Sequence, residues 1–402
     1  MISDFPNIRH MRVFLEAALS GSVSVAADRC ALSQPAATQA IKRLESDLGA
    51  PLLVRRSRAF VPTECGALFM ARAGSALDYL RSGAKAAERA TNKAHAPLDR
   101  LVTAAQLRTL IAVAASGSFT VAANRLGLSQ PTVHRAARGL EDAAGTSFFK
   151  ATPAGVELTQ AAQAFVLGAK LAQSEIAQGI DEIGRALGRE RSRFILGSLP
   201  LARTAIVPKA AHAMVTDTPG MQVRVIDGRY DELLRSLREG DIDCMIGALR
   251  DPPPADDITQ ERLFDDAMAV VTHPTHPLAQ RRGVSLQDTL SYPWIAPPMS
   301  TPAGQYLFDT LGLQQMEETP VRVVSSSLVM LRGLLAEGPY VSIISRNQVS
   351  VDERAGHIAI LDLELTGDRR AIGLTTRSGW RPTESQARFI QFLRDTARSE
   401  AA

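Results

Sequence analysis

Two short stretches of this sequence combine helix-capping residues with cations in a way that could grip a polyanion. The first is Ser33-Gln34-Pro35-Ala36-Ala37-Thr38-Gln39, followed by Lys42 and Arg43 and then by Arg55, Arg56 and Arg58. The second is Ser129-Gln130-Pro131-Thr132-Val133-His134-Arg135, followed by Arg138 and Lys150. In each, the serine is a natural helix N-cap, and the proline two residues on falls in the first turn, where its missing N–H costs nothing. A helix start that presents Gln, Thr, His and Arg can hydrogen-bond base edges, while nearby Arg and Lys neutralise phosphates. Catalytic chemistry is poorly served by comparison. The chain has no Walker loop, no G-x-G-x-x-G and no nucleophile elbow. His273 and His276 have a proline between them and a loop context, which argues against a helical metal site. Asp256-Asp257 and Asp265-Asp266 read as loop charge, so no catalytic residue, no metal and no cofactor is expected.

Composition bounds the rest. With 402 residues, 45% hydrophobic and 22% charged, the chain has room for two or three domains and is neither disordered nor fibrous. No run approaches the roughly 18 apolar residues of a membrane span. The opening MISDFPNIRHMRVF lacks a charged-then-apolar export pattern. Three scattered cysteines, Cys30, Cys65 and Cys244, fit a reducing cytoplasm and no disulfide framework. Cys30 and Cys244 read as small buried hydrophobes rather than redox sensors. The net charge of +3 hides an asymmetry: residues 1–98 sum to +5, 99–190 to +1 and 191–402 to −3. A basic N-terminal end suits an anionic partner.

The two stretches belong to a repeat. A shift of 96 positions aligns residues 8–69 with 104–165 without a gap, and 19 of the 62 pairs are identical. The identities cluster: Ser20-Gly21-Ser22 with Ser116-Gly117-Ser118, Val25-Ala26-Ala27 with Val121-Ala122-Ala123, Leu32-Ser33-Gln34-Pro35 with Leu128-Ser129-Gln130-Pro131, and Leu44-Glu45 with Leu140-Glu141. Each copy predicts three short helices. One carries Met11, Phe14, Leu15 and Ala18 and stops at Gly21. A second covers Val25 to Cys30, and a third runs from Gln34 to about Leu48 and ends at Gly49. That is the helix-turn-helix plan, whose last helix enters the major groove by its first residues.

On these residues both copies resemble the winged helix-turn-helix of LysR-type transcriptional regulators, and the remainder resembles the linker helix and effector-binding region of that family. The departure is the second copy. The resemblance implies all-α winged helix-turn-helix domains at 8–66 and 104–162, linker helices at 64–93 and 158–187, and a two-lobed α/β domain like periplasmic binding proteins at 193–402. It implies double-stranded DNA, a small effector, a second copy of the chain and RNA polymerase as partners, with no membrane. Copy one has Thr38 and Gln39 where members often have Ser and Arg, but its wing, Arg55-Arg56-Ser57-Arg58, is strongly basic and expected to grip phosphates. Copy two keeps Arg135, which could read a guanine edge for about 1–3 kcal/mol of discrimination, yet it has lost the wing arginines. The alternative is that copy two is structural only.

The linker stretches, Thr63 to about Lys93 and Leu158 to about Leu187, are alanine-rich and free of proline; the second carries Phe165, Leu167, Leu171, Ile176, Ile180 and Ile183. In the family such helices pair antiparallel between two chains. Here only the hinge 94–99 separates the first linker from the second copy, and six residues span roughly 20 Å. One chain is therefore expected to form the pair that two chains normally form; the competing arrangement is pairing between chains through the second linker.

Beyond Ser192, short β-rich runs alternate with helices: Phe194–Leu199, Gln222–Ile226, Cys244–Ala248, Met268–Thr272, Val321–Ser325, Val341–Ile344 and Ala371–Thr375. They predict an α/β body with largely parallel sheets and a ligand at the carboxyl ends of strands. By the resemblance, lobe I is 193–270 with 371–402 and lobe II is 271–370. The cleft is expected to be lined by Ser198, Leu199, Pro200, Arg203, Gly228, Arg229, Tyr230, Pro297, Pro298, Met299, Ser300, Ser326 and Ser327. Hydroxyls, a helix start and two arginines suit a carboxylate, so the expected effector is small and acidic. The expected function is a cytoplasmic, ligand-responsive transcription regulator and not an enzyme. The alternative is a sensor with decayed DNA-binding domains that acts through protein contacts.

Overall fold

A computed structural model of the chain describes residues 5–56, 59–91, 97–313, 319–367 and 369–401. Two compact units divide it, one built on residues up to Arg193 and the other on residues from Phe194 onward.

The first unit contains two like modules. In one, α1 (Ile8–Ser20), α2 (Val23–Arg29) and α3 (Gln34–Leu48) precede a hairpin of β1 (Leu53–Arg56) and β2 (Ala59–Pro62) and a long helix α4 (Glu64–Thr91). After the short α5 (Leu98–Leu101) the order repeats as α6 (Ala104–Ser116), α7 (Phe119–Leu126), α8 (Gln130–Ala144), β3 (Phe149–Thr152), β4 (Gly155–Leu158) and α9 (Gln160–Ala186). The boundaries follow local chemistry. Ser33 Oγ accepts the Ala36 N–H at 3.4 Å to open α3, and Gly49 closes it at φ +65°. Gly145 closes α8 at φ +62° in the same way.

Matching side-chain bonds hold each hairpin to its helix. Glu45 Oε1 accepts the N–H groups of Leu52 (2.8 Å) and Leu53 (3.1 Å), and Glu141 Oε1 accepts those of Phe148 and Phe149 at the same two distances. One apolar core runs through both modules and both long helices, including Phe14, Phe69, Leu80, Leu107, Phe148 and Phe165. The long helices start and end within a few residues of the expected linkers. The expected hinge falls partly on Ala94–Ala96, which lie outside the described residues.

The second unit holds two five-stranded sheets. Its elements are β5 (Arg193–Ser198), α10 (Ile206–Asp217), β6 (Gln222–Asp227), α11 (Tyr230–Arg238), β7 (Cys244–Ala248), β8 (Ile258–Asp266), β9 (Met268–Thr272), α12 (Leu286–Thr289), β10 (Trp294–Ala296), α13 (Pro302–Gln305), β11 (Val321–Val324), α14 (Leu328–Glu337), β12 (Val341–Ser345), α15 (Arg346–Arg354), β13 (Ala359–Ile360), β14 (Arg370–Arg377) and α16 (Glu384–Ala401). The sheets run β6-β5-β7-β14-β8 and β11-β10-β12-β9-β13.

Three expectations are corrected here. The sheets are mixed rather than largely parallel, because β14 lies antiparallel to β7 and β8, and β9 antiparallel to β12 and β13. The polar strand β8 and the three-residue β10 were not anticipated. The chain crosses between lobes at Ala267, so β9 belongs to the second lobe although the expected boundary lay at 270. No described helix is long and apolar enough to cross a membrane.

Candidate nucleic-acid interface and effector cleft

On α3 the buried positions are Ala37, Ala40, Ile41 and Leu44, which leaves Gln34, Pro35, Thr38, Gln39, Lys42 and Arg43 exposed together. Thr38 Oγ1 donates to the Gln34 carbonyl at 3.0 Å. Arg55 and Arg56 stand exposed on β1; the third wing cation, Arg58, lies outside the described residues. The polar and cationic side chains expected to meet DNA are thus exposed along α3, behind a capped helix start, and on β1.

Copy two presents a different surface. Val133, Ala137, Leu140 and Ala144 are buried on α8, and Gln130, Pro131, Arg135 and Arg138 are exposed, as is Lys150 on β3. Ser129 caps differently from Ser33: its hydroxyl bonds Thr132 Oγ1 at 2.8 Å. His134 is half-buried, because its ring stacks on Phe119 with 4.2 Å between centroids. Copy one has Val23 and Thr38 at these positions, so the aromatic pair is peculiar to copy two. It draws His134 back from the exposed row and leaves Arg135 as the leading cation.

The second unit holds a cavity of about 300 Å³ lined from both sheets. Of the expected lining, Leu199, Pro200, Gly228, Arg229, Tyr230, Pro297, Ser300, Ser326 and Ser327 are there. Four residues are not. Ser198 is buried at the end of β5 with its hydroxyl on the Leu199 carbonyl (3.2 Å), and Arg203 is drawn to Asp227 at 3.3 Å. The Pro298 carbonyl closes the turn that caps α13 by accepting the Thr301 hydroxyl (2.7 Å), and Met299 points out, 45% exposed.

The groups that sequence reasoning missed include Arg250, Arg370, Thr301, Ser345 and Gln348. Arg250 lies 4.6 Å from the centre of the Tyr230 ring, and Gln260 grips its backbone through two bonds of 3.0 and 2.8 Å. The Tyr230 hydroxyl oxygen is buried without a hydrogen-bond partner among the described residues. Burial pushes its phenol pKa up, against the pull of Arg250 and with a smaller push from Asp231. Opposite, Ser327 caps α14 by accepting the Met330 N–H at 3.3 Å, and Ser325 accepts the Ser327 N–H at 3.1 Å.

A buried carboxylate anchors the lobe crossover. Asp266 is fully buried; one oxygen takes Arg370 (3.0 and 3.2 Å), and the other takes the Ser345 hydroxyl (2.9 Å) and the Asn347 side chain (3.2 Å). Asp266, expected as loop charge, is instead an interior acid at the end of β8.

The other chemistry-bearing candidates are structural. His276 is buried and its Nδ1 accepts the Leu278 N–H at 3.1 Å, while His273 Nδ1 pairs with Thr275 at 2.8 Å. No cluster of metal-ligating side chains occurs among the described residues. Cys244 is buried, and desolvation pushes its thiol to about 12, which makes it unreactive. Cys30 departs from expectation in being only half-buried; burial still raises its pKa.

Residues 8–67 and 104–163 each match the bacterial regulatory helix-turn-helix protein, lysR family, and residues 187–398 match the LysR substrate binding domain. The chain is a member of the LysR family. It is a DNA-binding transcription regulator with a substrate-binding domain for a small effector, and its named relatives are regulators rather than enzymes. It is 28% identical to the HTH-type transcriptional regulator GalR of Pseudomonas putida over 398 residues, 99% of both chains. It is also 28% identical to the regulator PcaQ of Agrobacterium fabrum over 302 residues, covering 75% of this chain and 96% of that one. Among solved structures, full-length OxyR of Pseudomonas aeruginosa overlays with a TM-score of 0.53 at 22% identity, across 76% of this LysR protein and 96% of the other. The regulator CbnR in complex with its target DNA overlays with a TM-score of 0.50 at 22% identity, across 72% and 98%.

Proposed function

We propose that this LysR regulator arose by tandem duplication of its DNA-binding module, and that one chain supplies the paired modules normally supplied by two. The carrying observation is the contact between α4 and α9. Arg72 packs on Gly179 near one end, and Gly83 packs on Gly168 near the other. The helices are therefore antiparallel, and the 96-residue offset converts the first contact into the second, as in a two-fold pair of identical partners. The experiment is cross-linking of full-length protein made from co-expressed light- and heavy-isotope chains. Lys85 of α4 and Lys170 of α9 are expected to cross-link within one isotope; mixed-isotope links there would overturn the reading.

The second unit works as a two-lobed clamp of the periplasmic-binding-protein type, closed by a small carboxylate that changes DNA binding. Support comes from the cavity chemistry: a phenol oxygen buried without a hydrogen-bond partner among the described residues, the Arg250 guanidinium beside its ring, and the serine-lined start of α14 all suit an anionic oxygen. The regulator acts in the cytoplasm, self-associates and engages RNA polymerase, and it needs no cofactor beyond the effector.

A further inference from the structure

The two long helices correspond in position but not in charge. Arg72, 4% exposed, enters the α4–α9 seam and spends its guanidinium on α9: Nη1 on Glu175 (3.2 Å) and Gln178 (2.8 Å), Nη2 on Glu182 (2.6 Å) and Nε on the other Glu182 oxygen (3.1 Å). Glu175 and Gln178 are buried with it. Burial alone would lower the Arg72 pKa, but the two carboxylates outweigh it and raise the value. Under the 96-residue offset Gly168 stands where Arg72 stands, and Tyr79, Ser82 and Ala86 stand where Glu175, Gln178 and Glu182 stand. The cation is therefore confined to the first helix and its acids to the second.

We propose that Arg72 with Glu175 and Glu182 is a pairing code that admits only unlike linker helices. Pairing α4 with α4 of a second chain would set each Arg72 against Tyr79, Ser82 and Ala86, with no carboxylate to meet it. Pairing α9 with α9 would bury Glu175 and Glu182 against Gly168. Either arrangement strands a charge in an apolar seam, which is far more costly than forming the matched set. Only α4 with α9 satisfies every group. The code selects unlike helices, and the short connection between Thr91 and Pro97 selects the same chain. Through the linkers, copy one is therefore paired with copy two and not with another copy one, so each chain must cover two unlike half-sites. This inference rests on the intrachain reading above, which the isotope-mixed cross-link tests by itself.

Full-length charge variants test the code, read by affinity for the selected operator. Arg72→Glu places three acids in the seam, and Glu175→Arg/Glu182→Arg places three guanidinium groups there; each alone is expected to lose about tenfold or more in affinity. The combined Arg72→Glu/Glu175→Arg/Glu182→Arg chain restores the match with reversed sign and is expected to recover most of that loss. Recovery also guards against simple misfolding of the separate variants. The proposal is overturned if the combined chain binds no better than Arg72→Glu, or if Arg72→Glu binds like the unchanged protein.

Discussion

Gly83 and Gly168 meet where the two long helices cross: a Cβ added at Gly168 would stand 3.1 Å from the Gly83 Cα and 2.5 Å from the Tyr79 carbonyl oxygen. Backbones approach this closely only when neither residue has a side chain. Gly168→Leu is expected to lower stability by about 1–3 kcal/mol, since overpacking forces the helices apart. Gly74, on the same α4, has nothing within 4 Å of an added Cβ. Gly74→Ala is expected to be neutral or to stabilise by up to about 1 kcal/mol through helix propensity. Urea denaturation followed by circular dichroism separates the two; equal effects would mean that the crossing is not tight.

Phosphate and base contacts are expected to divide unequally between the modules. Arg55→Ala and Arg56→Ala should weaken binding to all sequences alike and flatten the log–log salt dependence by about 0.9 per lost phosphate contact. Arg135→Ala should instead relax preference at one base pair, at a cost of about 1–3 kcal/mol for the preferred base. His134→Ala should have a smaller effect on base preference, because its ring already packs on Phe119. Electrophoretic shifts across a salt series with matched and mismatched duplexes check all three.

Tyr230 and Arg250 are the expected anchors of the effector carboxylate. Tyr230→Phe removes a hydrogen bond to a charged group, so a bound carboxylate should weaken by about 1.5–3 kcal/mol. Because the phenol pKa is raised above its ordinary value, Tyr230 keeps its proton beyond the usual tyrosine range. It therefore remains a donor across neutral and mildly alkaline pH. Calorimetric titration of small mono- and dicarboxylates between about pH 6 and 9 should show no loss of affinity from this group, whose ordinary titration lies near 10. A fall in that interval that disappears in Tyr230→Phe would contradict the assignment.

The lobe crossover depends on Asp266. Asp266→Ala strands Arg370 without its carboxylate and is expected to cost about 3–5 kcal/mol, the usual penalty for breaking a buried pair. The unfolding transition of the effector-binding unit should move down while operator binding by the helix-turn-helix modules persists. An unchanged transition would mean that the pair adds nothing.

Much of the DNA-binding face was legible because its signals are local. Ser33, Pro35 and Gly49 mark the start and end of α3 by their own backbone preferences, and the repeat supplied the same landmarks at Ser129, Pro131 and Gly145. The cleft was legible only in part. Tyr230 and Ser327 lie at helix starts next to strand ends, where ligands gather, and Arg250 follows the end of β7; Arg370, at the start of β14, reaches the cavity only through the sheet order, which has no local signature. Strand β8, Ile258–Asp266, was hidden by its polar alternation and β10 by its brevity. Arg72 carries no local signal of its own in an alanine-rich helix. A usable signal existed in retrospect: Glu175 and Glu182 lie seven residues apart, on one helix face, and the residue 96 positions beyond Arg72 is a glycine.

The most direct test of the account is selection of genomic fragments by purified full-length protein, followed by footprinting of the best site with unchanged protein and with Arg135→Ala. Each chain is expected to cover two unlike half-sites, only one of which loses its base preference in Arg135→Ala. Half-sites within one chain's footprint that all respond identically to Arg135→Ala, or do not respond at all, would contradict that division of labour.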